Sequence, residues 1–378
     1  MAPLRIGVNA LYMIPGGVGG TEVYLRSLVE ALAAIDTTNQ YVLFTNRETG
    51  DSLLPPAANF RCVPQAVAAT NRPARLIWEQ TRLPWEAWKW RLDVLFNPGF
   101  TAPAVCGCRQ ATVFHDLQHK RHPVYFRWYE LPFWNLFLLL SAHVSDRLIA
   151  VSEATREDLL LFYKLPPGKV ATVRHGVDPR FFEIGRQRAS CPAEPYLLCV
   201  STLHHHKNIE RLVLAFNRFR EGQPGFRLVL AGLRGFHTKA VEKLIEDLSL
   251  QEQVTITGWI PRERLYELYL RAYAFIYPST FEGFGMPILE AMAAGIPTAC
   301  SGIEPLLTIA EKSALFFPPE QVETITATMG LLVNDAKLRE KLAMEGPARA
   351  SRFSWEKSAR QTLDVILEAA GQRKKSSS

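Results

Sequence analysis

Tyr277-Pro278-Ser279-Thr280-Phe281-Glu282-Gly283-Phe284-Gly285-Met286-Pro287-Ile288-Leu289-Glu290-Ala291-Met292-Ala293-Ala294-Gly295-Ile296-Pro297 decides what this chain folds into. The apolar run at 274–277 has the composition of a buried parallel strand, and a loop with two glycines then leads into a short helix that Gly295 stops. Gly283 and Gly285 let the backbone approach a ligand closely, and Pro287 suits the first helical position, where its missing N–H costs nothing. Amides and the positive end of the helix dipole converge on such a loop, so a phosphate fits there. Glu282 and Glu290 frame it, with seven residues between them. Carboxylates suit hydroxyls rather than phosphates. Amides for a phosphate beside acids for sugar hydroxyls are what a nucleotide-sugar needs.

The same residues, 282–290 followed by 291–297, resemble the Glu-x7-Glu signature of retaining glycosyltransferases of family 4, which have the GT-B fold. The resemblance implies that Glu290 binds the ribose hydroxyls, that Glu282 lies by the donor sugar, and that the amides of Gly283, Phe284, Gly285 and Met286 hold the diphosphate.

At 378 residues the chain is long enough for two α/β domains of ordinary size. A hydrophobic content of 48% beside 21% charged residues is that of a globular protein. Residues 6–9 read as a first strand rather than the core of an export signal, so the chain is expected in the cytoplasm. Six scattered cysteines, with only Cys106 and Cys108 close in sequence, match neither a disulfide framework nor a zinc pattern, and no metal is expected. A formal charge of +6 favours anionic company: sugar nucleotides, lipid phosphates or the acidic face of a bilayer. Nucleic acid is not among the expected partners.

Residues 5–9 predict the first strand, and 21–35 a helix with Leu25, Leu28, Val29 and Leu32 on one face. The loop between them supplies Gly17 and Gly19 but no third glycine, and no acid ends the second strand at 41–44, which argues against a dinucleotide oxidoreductase. In the resembled family this loop contacts the donor phosphates or the acceptor. Further strand-like segments at 60–63, 93–96, 110–114, 147–151 and 170–173 give the alternation of a doubly wound sheet. Residues 72–91, with Trp78, Trp85, Trp88 and Trp90 among arginines, read as a helix packing its tryptophans, or else as a mobile acceptor loop; packing is favoured because large aromatics are usually buried. The uncharged run at 131–145 is shorter than the roughly 20 residues that span a bilayer. It reads first as a core-facing helix and second as a shallow contact with an anionic membrane.

Val113-Phe114-His115-Asp116 falls at the carboxyl end of a predicted strand, where open α/β sheets place ligands. An imidazole there can orient a group or accept a proton while the carboxylate fixes its tautomer. The resemblance implies that His115 points at the donor sugar, which makes it a catalytic candidate together with Glu282. His119 and His122 read as surface residues. Residues 173–178 are similar to the family's Asn-Gly-Val-Asp, with His175 in the asparagine's place. Residues 179–195 turn to charge, Pro, Gly and Ser without apolar period, as a linker does. A strand at 196–202 opens the second domain. The run His204-His205-His206 does not read as a metal site, because adjacent side chains on a loop rarely converge on one ion. Lys207 and Asn208 resemble the family's Arg-Lys-Asn or Arg-Lys-Gly segment, whose cations neutralise the donor diphosphate; with His206 at the arginine's position, Lys207 is the principal cation, and a second positive charge requires that His206 be protonated or that another base, such as Arg211, reach in.

The expected fold is therefore α/β and GT-B, two Rossmann-like doubly wound domains facing across a cleft. Residues 1–178 form the acceptor-binding domain, 179–195 the linker, 196–353 the nucleotide-sugar-binding domain, 354–370 a helix crossing back to the first domain and 371–378 a polar tail. The resemblance implies retaining, metal-independent transfer of a hexose, with mannose the guess, from GDP-mannose or a UDP-sugar to a saccharide or lipid-linked acceptor in surface polysaccharide synthesis. Gly17, Gly19, Lys207, Gly283, Phe284, Gly285, Met286 and Glu290 would bind the donor, and no cofactor beyond that substrate is expected. A non-catalytic sugar-nucleotide binder or membrane-docked protein and a sugar-nucleotide epimerase of the same fold are the alternatives; intact His115, Lys207, Glu282 and Glu290 argue against lost turnover.

Overall fold

The computed structural model describes residues 3–17 and 19–371; the expected polar tail beyond 371 lies outside them. The chain divides into two compact units, Met1–Gly176 with Trp355–Ser378, and Val177–Ser354.

In the first unit, β1 (Arg5–Asn9), β2 (Gln40–Phe44), β3 (Phe60–Cys62), β4 (Val94–Asn97), β5 (Arg109–Phe114), β6 (Arg147–Ala150) and β7 (Val170–Thr172) form one sheet in the order β3-β2-β1-β4-β5-β6-β7. Every pairing is parallel, with Ile6 opposite Tyr41 on one side and Val94 on the other. Strands buried on both faces carry near-continuous apolar runs, and Val94, Leu95 and Phe96 are fully buried. The helices are α1 (Gly20–Ile35), α2 (Arg72–Lys89), α3 (Gln118–Arg121), α4 (Leu131–Val144), α5 (Glu153–Tyr163) and, from the end of the chain, α14 (Trp355–Ala369). Val365 and Ile366 lie on the buried side of α14, which packs on α1.

In the second unit, β8 (Glu194–Val200), β9 (Arg227–Ala231), β10 (Val254–Gly258), β11 (Ala272–Tyr277), β12 (Thr298–Ser301) and β13 (Leu315–Phe317) are ordered β10-β9-β8-β11-β12-β13, again all parallel. Its helices are α6 (Pro179–Arg188), α7 (Ile209–Gly222), α8 (Thr238–Asp247), α9 (Arg262–Arg271), α10 (Met286–Ala293), α11 (Leu306–Ala310), α12 (Val322–Asn334) and α13 (Ala336–Ala350). Both sheets reverse their winding once, between β1 and β4 and between β8 and β11, and at such a switch point the loops diverge and leave room for a ligand.

Four expectations need correction. Residues 179–195 are not a bare linker: Asp178 caps α6 by accepting the N–H of Arg180, Pro179 opens the helix, and Phe181 and Ile184, three apart, are buried in the second unit. Residues 131–145 are not mainly core-facing; in α4 only Leu138, Ser141 and Ala142 are buried. The tryptophans of α2 split, Trp78 and Trp90 packing on a core cluster while Trp85 and Trp88 stand exposed. His119 is buried and hydrogen-bonded to the Tyr163 hydroxyl at 2.8 Å. The short strand β13 lies in an apolar run, 314–317, that is not among the expected strands.

Candidate active site

The loops after β8 and β11 meet beside the second switch point because backbone groups stitch them together. The His206 carbonyl accepts the Thr280 N–H at 2.7 Å and the hydroxyls of Ser279 and Thr280 at 3.1 Å. Asn208, in the left-handed region at φ 58°, donates its side-chain amide to the carbonyls of Pro278 and Pro319 at 3.0 and 2.7 Å. This fixes Lys207 opposite Glu282. Its ammonium donates to Glu282 Oε1 at 2.6 Å and to the Tyr277 hydroxyl at 3.1 Å, with side-chain exposures of 15% for Lys207 and 9% for Glu282. A charge pair so far withdrawn from water depends on its mutual bond, on that hydroxyl and on the Tyr277 ring, whose centroid lies 5.5 Å from the ammonium. Arg211 donates to Asn208 Oδ1 at 2.8 Å, so it props the loop from behind.

After Glu282 the chain must turn sharply into α10. Gly285 has φ 109°, and a Cβ there would lie 2.4 Å from Leu306 Cδ2, so both conformation and space demand glycine. Pro287 is the second helical residue rather than the first. The Phe284 ring is buried and packs edge-on against Phe353, which leaves only its backbone for a ligand. Glu290 follows about one turn later. It accepts the Tyr269 hydroxyl at 2.9 Å. Burial pushes its carboxyl up to about 7, opposed by the Tyr269 bond and the charge of Arg262. Arg262 is held by Asp178 and Tyr266 at 2.5 Å each.

The three consecutive histidines separate: His204 and His206 stack on each other at 5.9 Å, and His205 turns to His237 at 4.6 Å. Among the described residues no three His, Cys, Asp or Glu side chains form a cradle for a metal ion.

In the first unit His115 ends β5. Its Nε2 lies 2.9 Å from the Pro98 carbonyl, an acceptor only, so Nε2 carries the proton and a neutral ring leaves Nδ1 as an acceptor. Burial pushes this imidazole down to about 4, against the pull of the Pro98 carbonyl. The expected partner was Asp116, yet Asp116 Oδ1 accepts the Gln118 N–H at 2.9 Å, and Pro98 fixes the tautomer. The Tyr24 ring stands edge-on to both His115 and His175 at 4.8 Å, and the two imidazoles stack at 5.7 Å. Burial, then the neighbouring His115, holds His175 well below its usual range.

In the glycine loop, the Gly17 N–H donates to the Ile14 carbonyl at 2.8 Å and the Gly16 N–H to Glu22 Oε2 at 2.7 Å; Gly19 precedes α1 at φ 57°. At the end of β1 lies a group the sequence did not single out. Glu79, 1% exposed, accepts from Asn9 at 3.2 Å and Thr101 at 2.9 Å, and burial pushes its carboxyl up. A glutamate in the middle of an arginine- and tryptophan-rich helix gives no local sign that it turns inward.

Residues 182–349 match the model of group 1 glycosyl transferases, and residues 18–181 that of Glycosyltransferase Family 4. Over 294 residues, 75% of this chain and 76% of the relative, the chain is 28% identical to O-antigen chain mannosyltransferase B of Escherichia coli. Among solved structures, sucrose-phosphate synthase from Thermosynechococcus elongatus is similar with a TM-score of 0.78 at 21% identity, over 98% of this chain and 100% of that one. HepE of Anabaena, solved in complex with UDP and glucose, is similar with a TM-score of 0.73 at 16% identity, over 95% and 98%.

Proposed function

Because this chain belongs to the family 4 glycosyltransferases and has their GT-B fold, we propose that it moves mannose from a nucleotide-diphosphate sugar to a saccharide or lipid-linked acceptor, with retention and without a divalent ion. The observation that carries this reading is the Lys207–Glu282 pair, 2.6 Å long, between the switch-point loops. A cation already withdrawn from water is poised for diphosphate oxygens, and its move to them would release Glu282 for the sugar hydroxyls. Charge grows on the leaving diphosphate, and preorganised donors stabilise it with little rearrangement. The amides of Gly283, Phe284, Gly285 and Met286 and the N-terminal end of α10 add to the same term. Glu290 takes the ribose hydroxyls. His115, neutral and with Nδ1 as acceptor, takes a hydroxyl of the transferred sugar, and the acceptor oxygen attacks from the face the diphosphate leaves.

Mannose rests on the mannosyltransferase relative, which points to GDP-mannose and to a role in surface polysaccharide synthesis. The UDP bound to HepE keeps a uridine donor in the test. We place the reaction in the cytoplasm, with a lipid-linked acceptor reached at the inner face of the membrane.

The test is thermal unfolding with GDP, UDP or ADP, each with EDTA, since a ligand bound by the folded state alone raises the melting temperature. GDP should raise it, and GDP-mannose with a mannoside acceptor should give an axial, retained linkage by NMR. No shift with any nucleotide or nucleotide sugar would overturn the reading.

A further inference from the structure

Helix α4 contains no Asp, Glu, Lys or Arg, and its two faces are both apolar. Leu138 and Ala142 enter the core under β5, with Trp134 packed beside them. On the opposite side Phe133, Leu136 and Leu140, at helical spacing, are 66%, 53% and 38% exposed. The turn just before continues the stripe with Val124 and Trp128, 82% and 84% exposed. Of the nineteen large apolar side chains exposed among the described residues, eight fall between 124 and 140. Single exposed hydrophobics are ordinary, but a contiguous set marks a surface meant to be covered.

The charge around this stripe leans to the basic. Lys120, Arg121 and Arg127 lead into it, Arg121 paired with Asp158 at 2.5 Å and Arg127 lying 3.9 Å from Glu130. Helix α2, whose N-terminal end meets α4 where the Arg72 guanidinium lies 5.2 Å over the Trp134 ring, buries both its glutamates, Glu79 and Glu86, and exposes Arg72, Arg82 and Lys89. An apolar centre with exposed aromatics and a cationic surround is complementary to a bilayer interface that carries anionic lipid. At 14 residues α4 is too short to cross one, and no helix among the described residues is long and apolar enough to do so. A second copy fits worse, because two identical patches set face to face would oppose like charges.

We propose that the first unit docks on anionic lipid through the outer face of α4 and the preceding turn, lying in the interface plane. This names the surface for the membrane contact proposed above and depends on that reading for its purpose, the meeting with a lipid-linked acceptor. The experiment is co-sedimentation of the full chain with vesicles of phosphatidylcholine alone, or with roughly a third phosphatidylglycerol. Wild type should pellet with the anionic vesicles, less so in high salt. Trp128→Ser with Phe133→Ser should lose at least about tenfold in vesicle affinity. Its melting temperature and its response to GDP should stay as in wild type, since both side chains point into solvent. Wild type left in the supernatant overturns the proposal, and so does a dimer by light scattering that the double variant makes monomeric. Vesicle binding without any nucleotide response would instead sink the glycosyltransfer reading and leave the docking surface standing.

Discussion

The two units wind their sheets alike and reverse at equivalent places, yet the sequence furnishes the two switch points differently. Beyond β8 and β11 it supplies charge: Lys207, Glu282 and Glu290, with Arg262 behind. Around the ends of β1, β4 and β5 it sets mainly neutral groups: Asn9 bonded to Asn97, His115 and His175 held uncharged by burial, and Glu79 driven toward its protonated form. A diphosphate needs fixed charge, whereas an uncharged sugar hydroxyl can be met by neutral donors and acceptors as well as by carboxylates. One scaffold, used twice, thus supplies two electrostatic surroundings.

The hardest blow to that contrast is the removal of Lys207. Lys207→Met should lower kcat/KM by about a thousandfold, the scale on which a preorganised electrostatic contact acts. It also strands the Glu282 carboxylate, 9% exposed, so stability should fall by roughly 3 kcal/mol. Adding Glu282→Gln should restore the melting temperature but not transfer. Recovery of both, followed by initial rates with GDP-mannose, would reduce the pair to a structural brace and erase the difference between the two switch points.

Glu290 sharpens the contrast through pH. A carboxyl whose folded value is raised to about 7 favours the folded state below its unfolded value near 4.5, and this contribution is lost as pH rises through the folded value. Glu290→Gln should therefore leave stability unchanged at about pH 4 and raise the melting temperature increasingly up to about pH 8. Its affinity for the nucleotide should move the other way, weaker by about tenfold where the wild-type carboxylate is ionised. Opposite signs in calorimetry and nucleotide titration identify a group kept for binding at a cost in stability; equal signs would show that the carboxylate is structural.

Much of the charged switch point was legible, because its signals are local. Two glycines, a proline and two glutamates at fixed spacing predict a strand, a tight turn and a helix start, and Gly285 does occupy the position that only glycine fits. Lys207 opposite Glu282 was not legible, since the two lie 75 residues apart and meet only through the loops that His206 and Asn208 stitch together. The neutral switch point was fainter still. His115 could be placed at a strand end, but its partner is a backbone carbonyl 17 residues upstream, and carbonyls leave no trace in a sequence. α6 escaped notice because three apolar residues among charges, Phe181, Phe182 and Ile184, are too few for a period, although Asp178-Pro179 already carried a helix-start signal. The outward face of α4 was misjudged for the opposite reason: an unbroken apolar run cannot say which side of it meets the core.

The smallest expected effect concerns His175, the residue whose ring packs on His115. The Pro98 carbonyl holds the tautomer of His115, while the edge of Tyr24 and the His175 ring hold its plane. His175→Asn keeps the tautomer and loosens the plane, so kcat should fall by about threefold with the donor KM unchanged, and stability by about 1 kcal/mol for the smaller side chain. His115 sits near 4, so it stays neutral and no histidine limb should enter the pH–rate profile between about pH 6 and about pH 8 in either protein. If the variant gained such a limb, burial by His175 rather than by the strand end would be what keeps His115 uncharged. The neutrality of this switch point would then depend on a single ring.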